Sequence, residues 1–161
     1  MPNALCVYRD GSGFVDVTVP AGVGHLQKGH AVAIADYDGD GDLDIFEQMG
    51  GAFPGDAYYD ALFRNPGFAN RWVQLRLVGV RSNRSAIGAR IRVVVVEAGR
   101  RRSIYRWVSS GGSFGASPLE QTIGLGRSEA IERVEILWPR TGKVQVLGDV
   151  RLDTRTVVTE N

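Results

Sequence analysis

The residues of this 161-residue chain best suited to chemistry lie in DYDGDGDLDIFE, residues 36–47, where Asp36, Asp38, Asp40, Asp42 and Asp44 fall on every second position. Carboxylates held roughly 6 Å apart in water repel by somewhat under about 1 kcal/mol per pair, and five in one loop multiply that cost. A hard cation removes it. Calcium takes about six to eight oxygens. Side chains at the first, third, fifth and ninth loop positions, with the carbonyl of the seventh, converge on one ion when a glycine at the sixth permits a sharp turn. Asp36, Asp38, Asp40, Gly41, Asp42 and Asp44 occupy those places, so Asp42 is expected to offer its carbonyl and to turn its carboxylate outward. Magnesium, which prefers few carboxylates and several retained waters, suits the pattern less. The alternative is a solvated acidic turn.

Glu47 stands twelfth in the same stretch and completes the pattern of an EF-hand loop, a motif that requires a helix on each side. Upstream, KGHAVAIA alternates small and β-branched residues, and downstream QMGGAFPG crowds three glycines and a proline together. Neither flank suits a helix. A calcium loop between two β-strands is therefore expected, with Glu47 as an accessory ligand.

Other chemistry is less well supplied. GGSFG, residues 111–115, has the letters of a nucleophile elbow, but that motif needs a following helix and a later histidine. The two histidines, His25 and His30, both precede it, so the stretch reads as a Gly/Ser turn and the chain as no enzyme. As a metal pair the histidines lack a nearby third ligand and read as structural. Asn83-Arg84-Ser85 spells a glycosylation sequon, and a turn role is expected of it. Arg100 to Arg102 read as a hairpin tip, with contact to acidic sugars or phosphates as the alternative. Trp72, Trp107 and Trp138 alternate with strand residues and are expected to pack on sheet faces or in the core.

The elements that must position these residues are strands. Twenty-one glycines punctuate a chain that is 43% hydrophobic and 23% charged, with Val/Ile/Thr-rich runs and no long helical period. Period-two patterns recur at 72–78, 88–96, 103–108, 119–125, 132–138, 143–147 and 155–160. Seven such strands suit a sandwich of two antiparallel sheets, with Val134, Ile136 and Trp138 inward and Arg133 and Glu135 outward. In the first half, YRDGSGF (8–14) is echoed by FRNPGF (63–68). An echo at that offset marks a stacked element such as a propeller blade, or two hairpins that share turn chemistry. Residues 1–70 carry ten acids against three bases, and 71–161 carry eight against sixteen. The arginines alternate with apolar residues, which places them on wet strand faces; no nucleic-acid partner is expected. No apolar run is long enough for a membrane span, and MPNALCVYRD lacks the regions of a signal peptide. Cys6, the only cysteine, is expected to be a small core side chain.

These residues carry two resemblances. GHAVAIADYDGDGDLDIF resembles the FG-GAP or VCBS repeat, the calcium-binding propeller element also seen in integrin α-subunits, and YRDGSGF and FRNPGF are similar to the turns that link its blades. SNRSAIGARIRV (82–93), GGSFGASPLEQTIGLG (111–126) and VEILWPRTG (134–142) resemble the ASPIC/UnbV domain, with a Trp-Pro turn one residue longer than the commoner form. The resemblances imply an all-β chain: propeller-blade-like β-hairpins with a calcium loop over 1–70, one complete repeat plus part of another, then an antiparallel β-sandwich over 71–161. They imply Ca2+ bound by Asp36, Asp38, Asp40, Asp42 and Asp44. They also imply a non-enzymatic extracellular or periplasmic role within a larger secreted protein, presenting a protein-binding or adhesion surface. The alternative is a carbohydrate-recognition module whose glycan lies on Arg100 to Arg102 or the loop at 111–115. An incomplete blade array exposes edges and an apolar face, so residues 1–70 are expected to pack on the sandwich or to self-associate.

Overall fold

The computed structural model describes every residue except 1, 2, 10, 52 and 113. Twelve strands, and no helix among the described residues, form four sheets. Strands β1 (Cys6–Arg9) and β2 (Gly13–Asp16) make a hairpin. β3 (Gly29–Ala35), β4 (Asp44–Met49) and β5 (Ala61–Phe63) make a three-stranded antiparallel sheet in that order. The aspartate run is the link between β3 and β4, so strands flank it on both sides, and the EF-hand alternative fails on its own requirement for helices. The described residues form no closed barrel or propeller.

The seven patterned strands all form. They are β6 (Arg71–Val78), β7 (Arg90–Glu97), β8 (Arg100–Trp107), β9 (Gln121–Gly126), β10 (Ala130–Leu137), β11 (Val144–Leu147) and β12 (Thr154–Thr159). One sheet runs β11-β10-β7-β8 and the other β12-β6-β9. They share a single core. Val73, Leu75, Leu77, Ile123 and Leu125 of the three-stranded sheet pack with Ile91, Val93, Val95, Val134 and Ile136 of the four-stranded one. Period-two alternation produces this directly, since the pleat sends every second side chain to one face. Val134, Ile136 and Trp138 are buried as expected, while Arg133 and Glu135 pair outside at 2.7 Å.

One pairing departs from expectation. β12 lies parallel to β6, with Thr154 opposite Val73 and Thr159 opposite Val78. Period two assigns faces but is blind to strand direction, so the wholly antiparallel sandwich is corrected on this point. Bases of this half do lie on strand faces in ion pairs, some across strands and some within β10. Arg92 meets Glu135 at 3.3 Å, Arg133 meets Glu132 at 2.6 Å, and Arg101 also reaches Glu132. Such exposed pairs add little to stability, because solvent screens them.

The first half buries much less. Among its described residues Met49 is the one hydrophobic side chain in the core class, while Phe14, Val19, Leu26, Tyr59 and Phe68 are exposed. Cys6 is exposed as well, against expectation, because no second layer covers the β1–β2 hairpin, whose first strand is exposed throughout. The echoed motifs also differ in structure. The first runs from β1 into β2, where Ser12 N–H donates to Arg9 O at 2.8 Å, whereas residues 63–68 leave β5 and fold back over the aspartate loop.

Candidate metal centre

The loop from Asp36 to Leu43 reverses the chain between β3 and β4, with Gly39 at φ 77° and Gly41 at φ 94°. Its carboxylates organise the turn. Asp36 Oδ1 accepts the Gly39 N–H at 2.8 Å, and its Oδ2 accepts the Gly41 N–H at 3.0 Å. Asp40 Oδ1 accepts the Asp42 N–H at 2.9 Å. The result brings Asp36, Asp38 and Asp40 together, each with an oxygen within 4.8 Å of the others.

Asp42 and Asp44 stand apart from that trio. Asp44 is buried and accepts the Tyr37 N–H on Oδ2 at 2.9 Å and the Asn65 N–H on Oδ1 at 2.8 Å. Each of its oxygens keeps a second lone pair. The Asp42 carboxylate lies against Gly67, where an added Cβ would come within 2.6 Å of Oδ2. Its carboxyl is held above the usual range, first by burial and then by the negative charge of Asp40, Asp36, Asp44 and Asp38. Glu47 is not in the cluster. It is buried on β4 and accepts a hydrogen bond from Asn3 Nδ2 at 2.7 Å, apart from the Asp36, Asp38 and Asp40 trio. Strand alternation sends it to the β1 side of the sheet, away from the loop.

Three contributors to the site escaped the sequence reading. Arg64 pairs with Asp38 and lies 3.7 Å from Asp40. Burial raises the Asp38 carboxyl, but the Arg64 guanidinium and the N–H groups of Asp40 and Asp38 together outweigh it and the net shift is downward. Asn65 holds Asp44 by its N–H and reaches Leu43 O through Nδ2 at 3.4 Å. The FRNPGF motif is thus the loop's cover, and its one base beside five acids was the available signal. The third contributor is the sandwich itself. Trp72 of β6 lies over Gly41, where an added Cβ would fall 2.0 Å from the indole Nε1, and Gln74 Nε2 donates to Asp36 Oδ2 at 3.0 Å.

A second joint lies in the Gly-rich loop. The Val32 N–H of β3 donates to Phe114 O at 3.0 Å, and an added Cβ at Gly115 would sit 1.9 Å from Val32 O. Residues 1–70 therefore do pack on 71–161, through loops and without a shared sheet. Ser113, the letter that would be the nucleophile, lies outside the described residues. His25 packs edge-on to Tyr58, while the Nε2 of His30 has no partner among the described residues. Arg101 and Arg102 of the expected hairpin tip are engaged, with Glu132 and Glu97 respectively. Trp107 lies exposed under the Arg90 guanidinium at 5.4 Å.

Residues 79–161 match the family model for ASPIC and UnbV. The chain belongs to the ASPIC and UnbV family. No curated protein sequence matches it. The ASPIC and UnbV match covers β7 to β12 and leaves out β6, although Val73, Leu75 and Leu77 of β6 are central to the same core. It also explains two of the motifs. Asn83 is a turn residue, its side chain bridging both the N–H and the carbonyl of Ile87 at 2.8 Å. The turn at Val80 to Ser82 is an anion nest. Glu160 Oε2 accepts the N–H groups of Val80, Arg81 and Ser82 at 2.7–2.8 Å, and Oε1 accepts the Ser82 hydroxyl at 2.9 Å.

That nest sets a pH dependence. Burial pushes the Glu160 carboxyl up, but the N–H groups of Ser82 and Val80, the Ser82 hydroxyl and the Arg81 N–H together hold it down at about 2, against an ordinary 4.5. A folded-state pKa below the unfolded one stabilises the protein above the unfolded value, and the contribution is lost as pH falls through the folded one. Glu160→Gln is therefore expected to melt several degrees below wild type at pH 7. The gap should close as pH is lowered from about 4.5 towards 2. Thermal melts across that range check this, and a gap that does not narrow contradicts it.

Proposed function

We propose that this ASPIC and UnbV protein is a non-enzymatic, calcium-binding extracellular or periplasmic module that presents a protein-binding or adhesion surface. The observation that carries the reading is the convergence of Asp36, Asp38 and Asp40 on a tight link between two strands. The donor set fits a hard cation, being all oxygen and strongly anionic, with one guanidinium opposite five carboxylates. The resemblance of GHAVAIADYDGDGDLDIF to the FG-GAP or VCBS repeat supports the same reading, and supports display outside the cytoplasm. Asp36, Asp38 and Asp40 would hold the ion, joined by Asp44 and the Asp42 carbonyl. The ion neutralises the crowded carboxylates and so fixes the loop. Arg64 is then its competitor for Asp38 and Asp40.

The role of calcium here is structural. An ion that binds only the folded loop stabilises it by mass action, by about 2.7 kcal/mol at a hundredfold excess over Kd. For a chain of this size that is roughly 5–10 °C. Melting in excess calcium is expected to exceed melting in chelator by that order. In Asp40→Ala the difference should disappear. Asp40 is exposed and its one hydrogen bond in the loop is local, so the variant itself should fold. Identical transitions with and without calcium in the wild type would leave a solvated acidic turn neutralised by Arg64.

A further inference from the structure

A cleft of about 450 Å³ runs along the joint between the aspartate loop and the sandwich, within the range of about 300–1,000 Å³ typical of small-molecule sites. Three surfaces bound it. The end of β3 and Leu43 form one wall, β6 and β9 form the floor, and Arg106 of β8 with Ser117 and Pro118 forms the other side. Its charges are unequally satisfied. Glu120 is held by Arg155 through two bonds, at 2.6 and 2.8 Å. Asp36 accepts from two loop N–H groups and from Gln74. Arg76 and Arg106 also line the cleft; among the described residues neither has a direct ion-pair contact, although Arg76 lies near enough to Glu120 to help hold its carboxyl low. Among the described residues the Arg106 guanidinium donates one hydrogen bond, to the neighbouring Tyr105 carbonyl at 3.0 Å.

The neutral groups of the cleft have a matching bias. Gln74 Nε2 donates to Asp36 and to Thr122 Oγ1, and Gln121 Nε2 donates to the carbonyls of Pro118 and Leu119. Both amides have their N–H groups committed, and both leave Oε1 free to accept among the described residues. Ile34, Leu43 and Pro118 add a shallow apolar surface. Two guanidiniums with no direct acid contact among the described residues favour a carboxylate, and free amide oxygens favour hydroxyl donors. An apolar wall without a deep side pocket suits the C–H face of a sugar ring better than a peptide side chain.

We propose that this cleft binds an acidic saccharide, with Arg76 and Arg106 holding the carboxylate of a uronic acid residue and Gln74 and Gln121 accepting its hydroxyls. The site is distinct from Arg100 to Arg102, whose second and third members are engaged with Glu132 and Glu97. It goes beyond the calcium reading and does not rest on it, since neither arginine belongs to the aspartate loop.

The test is calorimetry on the full chain with a galacturonic acid trisaccharide, its methyl ester and tri-glutamate, each in calcium and in chelator. The acid trisaccharide is expected to bind saturably in both buffers. The methyl ester, the same shape without the charge, should bind about tenfold or more weakly. Arg76→Ala/Arg106→Ala should weaken the acid form by a similar factor, and its melting temperature should match wild type because both side chains are exposed. If that variant fails to fold, the methyl ester comparison still decides. Binding retained in Asp40→Ala supports the cleft even where the calcium reading fails. Equal affinity for acid and ester, tighter binding of tri-glutamate, or no saturation by the acid at millimolar concentration each overturns the proposal.

Discussion

Gly41→Ala is expected to destabilise the protein by about 2–6 kcal/mol, because two independent penalties fall on one residue. The first is backbone strain: Gly41 sits at φ 94°, where a side chain costs of order 1–3 kcal/mol. The second is the clash with Trp72, whose Nε1, Cε2 and Cδ1 would lie 2.0–2.3 Å from the new methyl. Overpacking of this kind costs roughly another 1–3 kcal/mol. Rotation of the half-buried indole relieves the clash only by opening the joint between the aspartate loop and the sandwich. Gly39→Ala is the control. It has φ 77° but nothing within 4 Å of the added Cβ, so strain alone should appear, about 1–2 kcal/mol. Denaturant unfolding, with limited proteolysis of residues 1–70, measures both. Equal stability of the two variants would mean that Trp72 does not cover the loop.

Trp138→Ala is expected to cost about 3–5 kcal/mol, the range for deleting a large buried aromatic. Trp138 is 1% exposed at the end of β10 and is among the largest fully buried side chains. Its loss leaves a cavity between the two sheets. It also leaves Gln145 Oε1 without the indole N–H that donates to it at 2.9 Å. The backbone of Trp138 closes the extended Trp-Pro turn at the same time, donating to Lys143 O and accepting from Gly142 N–H, both at 3.0 Å. Those main-chain bonds survive the substitution, so the expected loss belongs to the side chain. Trp138→Phe should recover part of it by refilling volume without restoring the donor. Against a typical domain stability of about 5–15 kcal/mol, the alanine variant should melt at a much lower denaturant concentration. An unchanged midpoint would contradict the assignment of Trp138 to the core.

The two variants probe parts of the chain that differed in legibility. In the second half, alternation over residues 132–138 placed Val134, Ile136 and Trp138 inward without any tertiary information, since a pleated strand has only two faces. The parallel run of β12 beside β6 was not legible, because a strand pattern reads the same in either direction. In the first half Cys6 was misplaced, because a lone cysteine reads by default as a small core side chain and it is exposed. Alternation identifies a strand's two faces, but whether either is buried depends on a second layer, which the β1–β2 hairpin lacks.

The aspartate run shows the same division at the candidate site. Spacing alone determined that Asp36, Asp38 and Asp40 would meet, because a glycine-hinged turn between strands folds nearby residues onto one centre. It also excluded flanking helices, since the residues on either side cannot support them. Only the tertiary structure decided that Glu47 turns away to Asn3, that Asp44 is held by Tyr37 and Asn65, and that Arg64 covers the acids. It alone placed Trp72 on Gly41 and opened a cleft beside Asp36 lined by Arg76 and Arg106. Local chemistry is fixed by residues a few positions apart, whose relative placement the chain geometry constrains. Most partners of those residues lie far along the chain, up to 44 positions away for Asn3 and Glu47, and only tertiary packing brings them within reach.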